Sequence, residues 1–350
     1  MKFDLVISAH LAIGISSMLA CGSGSSQAPL PPTPPPPVTD VYAAGFVSNG
    51  SVDVATYWKN GTPVTLGPGT LYSIFVSGDD VYVGGDGGSL GPAVYWKNGV
   101  PVTLPVGAHG AQVNSIFVSG NDVYVAGGEF TQGFLSVATY WKNGVPVLLT
   151  NGPEAALAWS IFVSGTDVYV AGNETKTVFV PPNTYTDYTV AQYWKNGTPV
   201  ELTDGTAPAT AFAIFVSGAD VYVAGDNCHT ADLLCNIATY WKNGTPTELS
   251  NLTNTLATSI VVSGSDVYVS GRQSDNIAEY WKDNVLTPLT DGTSEATANQ
   301  IAVSGSDVYV AGADWNAQGT FAQYWKNGTP VRLNDGTQKA SAFSIAVAVH

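Results

Sequence analysis

Charged side chains, and basic ones above all, are scarce in this sequence of 350 residues. Only 11% of the residues are charged, and 12 Lys and Arg stand against 27 Asp and Glu, for a formal net charge of −15. Nucleic-acid binding needs a Lys/Arg surface that meets the phosphates. The composition therefore argues against a nucleic-acid partner, and equally against attachment to anionic lipid by charge.

Residues that commonly carry catalysis are also few. There are four His, and His109, His229 and His350 lie in no recognisable triad, zinc or nucleophile motif. No glycine-rich phosphate loop follows a strand into a helix. A carboxylate pair for glycoside hydrolysis is defined by its distance in space. A carbohydrate-active enzyme therefore remains an alternative.

The most apolar segment lies at the N-terminus. Lys2 precedes the run "LVISAHLAIGISSMLA", residues 5–20, which is typical of an export signal over 1–20 and short for a membrane span. The run ends at "MLAC", which resembles a bacterial lipobox. That resemblance implies acylation of Cys21 and a lipid anchor in the bilayer of the cell envelope. Cleavage after Ala28 would instead leave a secreted protein.

Residues 21–38 are rich in Gly, Ser and Pro and predict an extended linker. Only two Cys remain beyond it, Cys228 and Cys235 in "CHTADLLC". In an exported chain, two Cys in one loop favour a disulfide. A metal site that adds His229 is the alternative, although the spacing is unusual for zinc.

A tripeptide, Tyr-Trp-Lys, recurs seven times with a mean period of about 44 to 45 residues, which lies in the range of propeller repeats. Its copies begin at Tyr57, Tyr95, Tyr140, Tyr193, Tyr240, Tyr280 and Tyr324. A second motif, "DVYVAG" and its variants, begins at Asp40, Asp80, Asp122, Asp167, Asp220, Asp266 and Asp307. A third, "SIFVSG" and its variants, begins at Ser73, Ser115, Ser160, Ala213, Ser259, Gln300 and Ser344.

Each unit predicts four short strands, A ("SIFVSG"), B ("VYVAG"), C ("ATYWK") and D ("TPVTL"). Asn-Gly between C and D marks a two-residue hairpin turn. The sixth unit has Asp283-Asn284 there, so a departure in the turn is expected. The longest B–C connection is predicted over 173–189. We interpret the repeated Tyr and Trp as filler between units, and the repeated Lys as a solvated charge at the strand end.

The first unit lacks strand A, and residues 344–349 supply a strand A with nothing after it. Pairing the two fragments would close a ring and remove its open interfaces. We therefore predict an all-β, seven-bladed β-propeller of four-stranded blades over residues 39–350. The units resemble bacterial secreted propeller lipoproteins with "YWKNG" repeats, and more distantly kelch repeats. This resemblance implies a fold and an envelope location, not one activity.

The B–C and D–A connections vary and share one face, so binding residues are expected there. The position before each strand A should rim the central funnel: Tyr72, Asn114, Trp159, Phe212, Thr258, Asn299 and Phe343. The aromatic members would either stack on sugars or apolar side chains, or cap the core between blades. Trp315 is a further candidate.

Five acids follow the "VYVxG" motifs: Asp86, Glu129, Glu174, Asp226 and Asp314. They predict a negative rim that could favour cationic partners or hold Ca²⁺, or else are ordinary solvated strand ends. No cofactor is required. The leading expectation is a non-enzymatic propeller that binds a protein or a glycan at the cell surface. A carbohydrate-active enzyme that uses the rim acids and a purely structural spacer are the alternatives.

Overall fold

The computed structural model describes residues 38–87, 93–107, 109–133, 135–180, 184–229, 235–273 and 277–350. The predicted signal segment 1–20, Cys21 and residues 22–37 of the linker lie outside these ranges. Residues 38–350 group into one compact unit. Within the described part of the chain there is no helix, and hence none that could cross a membrane.

Twenty-eight strands form seven antiparallel sheets of four strands. The first three blades contain β1 (Thr39–Ser48), β2 (Asp53–Lys59), β3 (Thr62–Pro68); β4 (Thr70–Ser77), β5 (Asp80–Asp86), β6 (Ala93–Lys97), β7 (Val100–Thr103); β8 (Ala111–Ser119), β9 (Asp122–Phe130), β10 (Ser136–Lys142), β11 (Val145–Leu148). The next two contain β12 (Ala156–Ser164), β13 (Asp167–Val180), β14 (Thr184–Lys195), β15 (Thr198–Glu201); β16 (Ala209–Ser217), β17 (Asp220–Asn227), β18 (Ile237–Lys242), β19 (Thr245–Glu248). The last two, with the closing strand, contain β20 (Leu256–Ser263), β21 (Asp266–Arg272), β22 (Ala278–Lys282), β23 (Val285–Pro288); β24 (Glu295–Ser304), β25 (Asp307–Asn316), β26 (Gly319–Lys326), β27 (Thr329–Arg332); β28 (Ala340–Val349).

The predicted seven-bladed propeller is confirmed. The strand order in every sheet is A–B–C–D, and the seven A strands together line a central channel with a cavity of about 470 Å³. Strand A is therefore innermost. The segment 173–189 differs from the prediction, because most of it extends β13 and β14 into a long hairpin. Its alternating Thr, Val and Tyr residues suit a pleated strand.

The ring closes in blade 1, where β28 pairs with β1 from Thr39 opposite Val349 to Val47 opposite Ala340. Beyond these strands, the Val38 amide donates to the His350 carbonyl at 3.1 Å, and the His350 amide donates to Val38 at 2.9 Å. The C-terminal strand thus supplies strand A of the N-terminal blade, as predicted from the two incomplete units.

The core lies between adjacent blades. The Trp of every "YWK" is at most 5% exposed, and it packs against the preceding blade; Trp241, for example, packs with Tyr169 and Ala171. Aromatic side chains of this size dominate core energetics. Their predicted role as filler between blades is confirmed.

A β-bulge interrupts the A–B pairing in every blade, which the sequence did not predict. Strand A begins several residues before "SIFVSG", and one residue is left out of register, such as Tyr72 between Leu71 and Ser73. The glycine of "DVYVAG" lies opposite this bulge. A Cβ there would overlap a backbone carbonyl of strand A, as at Gly225 with Thr210. The repeated glycine is therefore a consequence of the bulge.

The repeated Lys is exposed at the end of strand C, as predicted, but it also has a structural role. In each blade it pairs with the Asp that starts strand B, with nitrogen-to-oxygen distances of 2.7–2.9 Å. Its ammonium also lies 5.1–5.3 Å from the ring centre of the "VYV" Tyr. Cation–π contact and charge pairing reinforce each other here. In each blade, the Lys of "YWK", the Asp that starts strand B, the Tyr of "VYV" and the first residue of the C–D turn, which is Asn in every blade but the sixth, form one group, which we call the clasp.

The C–D turn has positive φ angles at both central residues, 51° at Asn60 and 79° at Gly61. This is the geometry of a type I′ hairpin. The expected departure in the sixth blade is wrong, because Asp283 and Asn284 adopt φ angles of 49° and 66°. Asp and Asn both tolerate the left-handed region, so the turn survives the change of sequence.

Candidate functional site

The bulge residues of all seven blades converge on one mouth of the central channel. They line a cavity of about 540 Å³ together with Gln112, Leu256 and Asp86, and each is half-buried. These are the seven residues that the sequence placed before strand A: Tyr72, Asn114, Trp159, Phe212, Thr258, Asn299 and Phe343. A bulge changes the direction of a side chain, and here the seven bulges direct one side chain each into the same cavity.

Four of the seven are aromatic and form two pairs. The ring centres of Phe343 and Tyr72, from blades 1 and 2, are 5.7 Å apart, and those of Trp159 and Phe212, from blades 4 and 5, are 5.9 Å apart. The pairs lie on roughly opposite arcs of the ring. Phe46 adds to the first pair, 6.0 Å from Phe343. No repeated motif signalled Phe46, because no other blade has an aromatic residue at the position after the glycine.

The three polar bulge residues tie their own blade to the next. Asn114 donates to the Ala158 carbonyl at 2.9 Å. The equivalent bonds run from Thr258 to the Ala298 carbonyl at 2.7 Å and from Asn299 to the Ala342 carbonyl at 2.8 Å. These side chains therefore have a structural role as well as a place in the lining.

The five predicted rim acids do not form one ring. Asp86 lines the mouth, where it accepts hydrogen bonds from the Tyr72 hydroxyl at 3.0 Å and the Thr70 amide at 3.1 Å. Three acids lie one position further from the glycine: Glu129, Glu174 and Asp314. Because side chains alternate along a strand, this offset turns them to the other face of the sheet.

The contacts of those acids are local. Gln192 donates to Glu174 at 3.3 Å, and Ser294 and Asn316 donate to Asp314 at 2.6 and 2.9 Å. Across the ranges that the structure describes, no group of three or more His, Cys, Asp or Glu is placed to hold a metal. The arrangement thus gives no support to the calcium site suggested by the acid count.

Asp226 and Glu279 are buried carboxyl groups at the boundary of blades 5 and 6. Asp226 is 4% exposed, and burial raises its pKa to about 7. Glu279 is fully buried, and burial raises its pKa to about 7 as well, although Gln273 donates to it at 2.7 Å. Its second carboxyl oxygen has no hydrogen-bond partner among the residues that the structure describes. Asp226 was predicted on the rim, whereas Glu279 was missed because it stands where other blades carry Thr, Gln or Val.

Two other predicted features lie away from the mouth. Trp315 is half-buried on β25, opposite Glu295 and Thr320, and does not line the cavity. Cys228 and Cys235 form a disulfide with their Cα atoms 5.3 Å apart, so the predicted bond is confirmed. The zinc alternative fails, because bonded sulfurs cannot act as thiolate ligands.

Solved structures of similar fold are propeller proteins. The β-propeller domain of the Trilobed protease from Pyrococcus furiosus superposes with a TM-score of 0.54 at 9% identity, covering 85% of this chain and 95% of that chain. Pyrococcus horikoshii acylaminoacyl peptidase superposes with a TM-score of 0.51 at 10% identity, covering 86% of this chain and 52% of that chain. This chain thus spans about half the length of the peptidase.

Both likenesses show the fold alone, given the low identity. The Pyrococcus furiosus domain is described as having an open velcro topology, whereas β28 and β1 pair within blade 1 here. No protein-family model matches the sequence, and no curated protein matches it.

Proposed function

We propose that this protein is a non-enzymatic binding propeller of the bacterial envelope, which takes its ligand, a protein or a glycan, at the mouth of the central channel. The observation that carries the proposal is the convergence of all seven bulge side chains on one cavity of about 540 Å³. A rigid scaffold that presents variable residues in a concavity is the usual form of a binding site.

The residues at the mouth differ from blade to blade, while the core and clasp residues repeat. Packing alone would be served by one residue type in all seven blades. The bulge position instead holds Phe, Tyr, Asn, Trp, Phe, Thr and Asn in ring order. This asymmetry supports recognition of a particular ligand over a purely structural spacer.

Catalysis on carbohydrates is less well supported. Glycoside hydrolysis generally needs two carboxyl groups that flank the bond to be cleaved. Of the described residues that line the mouth, only Asp86 is acidic. The geometry therefore favours binding over turnover.

Binding at the mouth is tested by capture from bacterial envelope extracts with the purified protein. Trp159→Ala with Phe212→Ala removes one aromatic pair, and we expect loss of the captured partner. Trp315→Ala is the matched control, since Trp315 is half-buried but lies off the mouth. Capture that survives the first variant and fails in the second would refute this assignment.

Ligand class is tested by thermal unfolding with a panel of polysaccharides and envelope proteins. A ligand at about 100 times its Kd should stabilise the fold by about 2.7 kcal/mol, which corresponds to a rise of several degrees in Tm. The same samples are assayed for cleavage products. Turnover that is lost with Asp86→Asn would replace the binding proposal with an enzymatic one.

We also propose export and acylation at Cys21, on the basis of the lipobox-like "MLAC". Mass spectrometry of protein purified from bacterial membranes should find an acylated Cys21 as the first residue, and Cys21→Ser should release the protein from the membrane fraction. A mature N-terminus at Pro29, after cleavage at Ala28, would favour the secreted alternative.

A further inference from the structure

The mouth is a cleft between two aromatic pairs. Phe343 and Tyr72 form one wall, and Trp159 and Phe212 form the other. The remaining arcs carry Asn114 on one side, and Thr258 and Asn299 on the other. A ligand in this space meets the faces and edges of aromatic rings on two sides.

The aromatic donors at the mouth are engaged within the protein. The Trp159 indole N–H donates to Asn173 at 2.7 Å, and the Tyr72 hydroxyl donates to Asp86 at 3.0 Å. The side chains of Asn114, Thr258 and Asn299 each donate to a carbonyl of the next blade. The aromatic pairs therefore present mainly their rings to a ligand.

The local charge is negative. Asp86 is the charged residue of the lining, and none of the described lining residues is Lys, Arg or His. Burial and the neighbouring Asp86 raise the pKa of Tyr72 to about 12, so its hydroxyl remains a donor to that carboxylate at neutral pH. The whole chain carries a formal charge of −15.

From these observations we infer that the mouth binds an alkylammonium group, such as a lysine side chain presented by a polypeptide. An ammonium donates three hydrogen bonds and accepts none, and it is attracted to aromatic faces and to a carboxylate. None of the described lining residues carries a positive charge that would repel an ammonium. This inference rests on the proposed binding role of the mouth and narrows its ligand.

The first experiment measures binding of a blocked hexalysine peptide by fluorescence anisotropy. The same peptide with acetylated lysines is the uncharged control. n-Butylammonium supplies the ammonium group as a small molecule, and cellohexaose tests binding of a neutral sugar. We expect the lysine peptide to bind at least about tenfold more tightly than its acetylated form, a difference of about 1.4 kcal/mol. n-Butylammonium should compete with it.

A matched pair of variants separates the site from general attraction to an acidic protein. Asp86→Asn and Asp314→Asn each remove one negative charge, but only Asp86 lines the mouth. In Asp86→Asn the remaining oxygen can accept from the Thr70 amide, and the new amide group can donate to the Tyr72 hydroxyl. We expect about a tenfold rise in the Kd of the lysine peptide for Asp86→Asn, and no change for Asp314→Asn.

The outcomes distinguish the two proposals. Equal affinity for both peptides, equal effects of the two Asn variants, or no binding of the lysine peptide at millimolar concentration would overturn the ammonium inference. Sugar binding that depends on Trp159 would also overturn it and leave the mouth as the site. A captured partner that is insensitive to Trp159→Ala and Phe212→Ala would overturn the proposed function itself.

Discussion

Within the clasp, one residue distinguishes the sixth blade from the other six. The Asn of the C–D turn usually bridges two strands, because its oxygen accepts from the second residue of strand B and its amide donates to the Asp, as in Asn60 with Asp40 at 2.8 Å. Asp283 accepts from the Val267 amide at 2.9 Å, but a carboxylate cannot donate to Asp266. The sixth clasp therefore lacks the bond from the turn amide and places two carboxylates close together, and Asp266 accepts instead a longer bond from the Ser265 hydroxyl at 3.3 Å.

Asp283→Asn should complete this clasp and raise the Tm by about 1–2 °C, since the turn already has the required φ angles. The reverse change in a complete clasp, Asn327→Asp, is the matched control and should lower the Tm, because the amide of Asn327 donates to Asp307 at 2.8 Å. Differential scanning calorimetry measures both. Shifts of the same sign in the two variants would contradict the proposed role of the amide.

Buried carboxyl groups give the stability a definite pH dependence. The pKa of Glu279 is raised to about 7 in the folded state, from 4.5. Between these values the folded protein binds more protons than the unfolded chain, so the free energy of unfolding falls as pH rises from about 4.5 to 7. Asp226 acts in the same direction from 3.8 to about 7. The clasp Asp residues act oppositely, because Lys lowers their pKa values; their contribution is lost as pH falls below 3.8.

Glu279→Gln should therefore reduce the fall in the free energy of unfolding with rising pH. At pH 8 it should stabilise the protein by on the order of 2 kcal/mol. Gln already occupies the equivalent buried position in two other blades, at Gln192 and Gln323, so the side chain fits. Urea unfolding at pH 5, 6, 7 and 8 provides the measurement. Glu295→Gln on the exposed side of β24 is the control and should leave the profile unchanged; an unchanged profile for both variants would refute the assignment.

At the scale of the strand, the bulge and its glycine act as one unit. In Gly225→Ala, the added methyl would overlap the Thr210 carbonyl, and strand A would have to move away from strand B. We expect a loss of about 3 kcal/mol or more of unfolding free energy. Gly107→Ala is the control, since the nearest atom to its Cβ is a Glu129 side-chain oxygen at 3.5 Å. Equal urea midpoints for the two variants would contradict this.

The repeats predicted the blades, the strand order and the closing strand, because those features depend on residues that recur. The bulge was missed because the residues before it differ between blades, as in Thr70-Leu71 and Gln112-Val113. The seven mouth residues were nevertheless identified, because each one directly precedes a "SIFVSG" motif or its variant. The prediction of one acidic rim was wrong because Asp86 and Glu129 lie one and two positions after the glycine. A shift of one residue turns the side chain to the other face of the sheet.

At the scale of the whole molecule, closure depends on β28. Ala342 and Ile345 pack between blades 7 and 1, so removal of residues 340–350 should expose the inner edge of β1. We expect the truncated protein to aggregate or to lose its single cooperative transition, as seen by size-exclusion chromatography and calorimetry. A peptide of residues 340–350 should restore the transition, whereas a truncated monomer with an unchanged Tm would show that closure is dispensable.

The pairing of β28 with β1 in blade 1 also affects the order in which the strands can pair while the chain is being synthesised. Six blades are built from contiguous segments, so each can form as soon as its own residues have been made. Blade 1 joins residues 39–68 to residues 340–349, the longest sequence separation of any strand pairing in the described chain. Non-local pairing of this kind is slow, and its open intermediates are prone to aggregation. The inner edge of β1 therefore stays unpaired until residues 340–349 have been made, so the first strand to be synthesised is among the last to be fully paired.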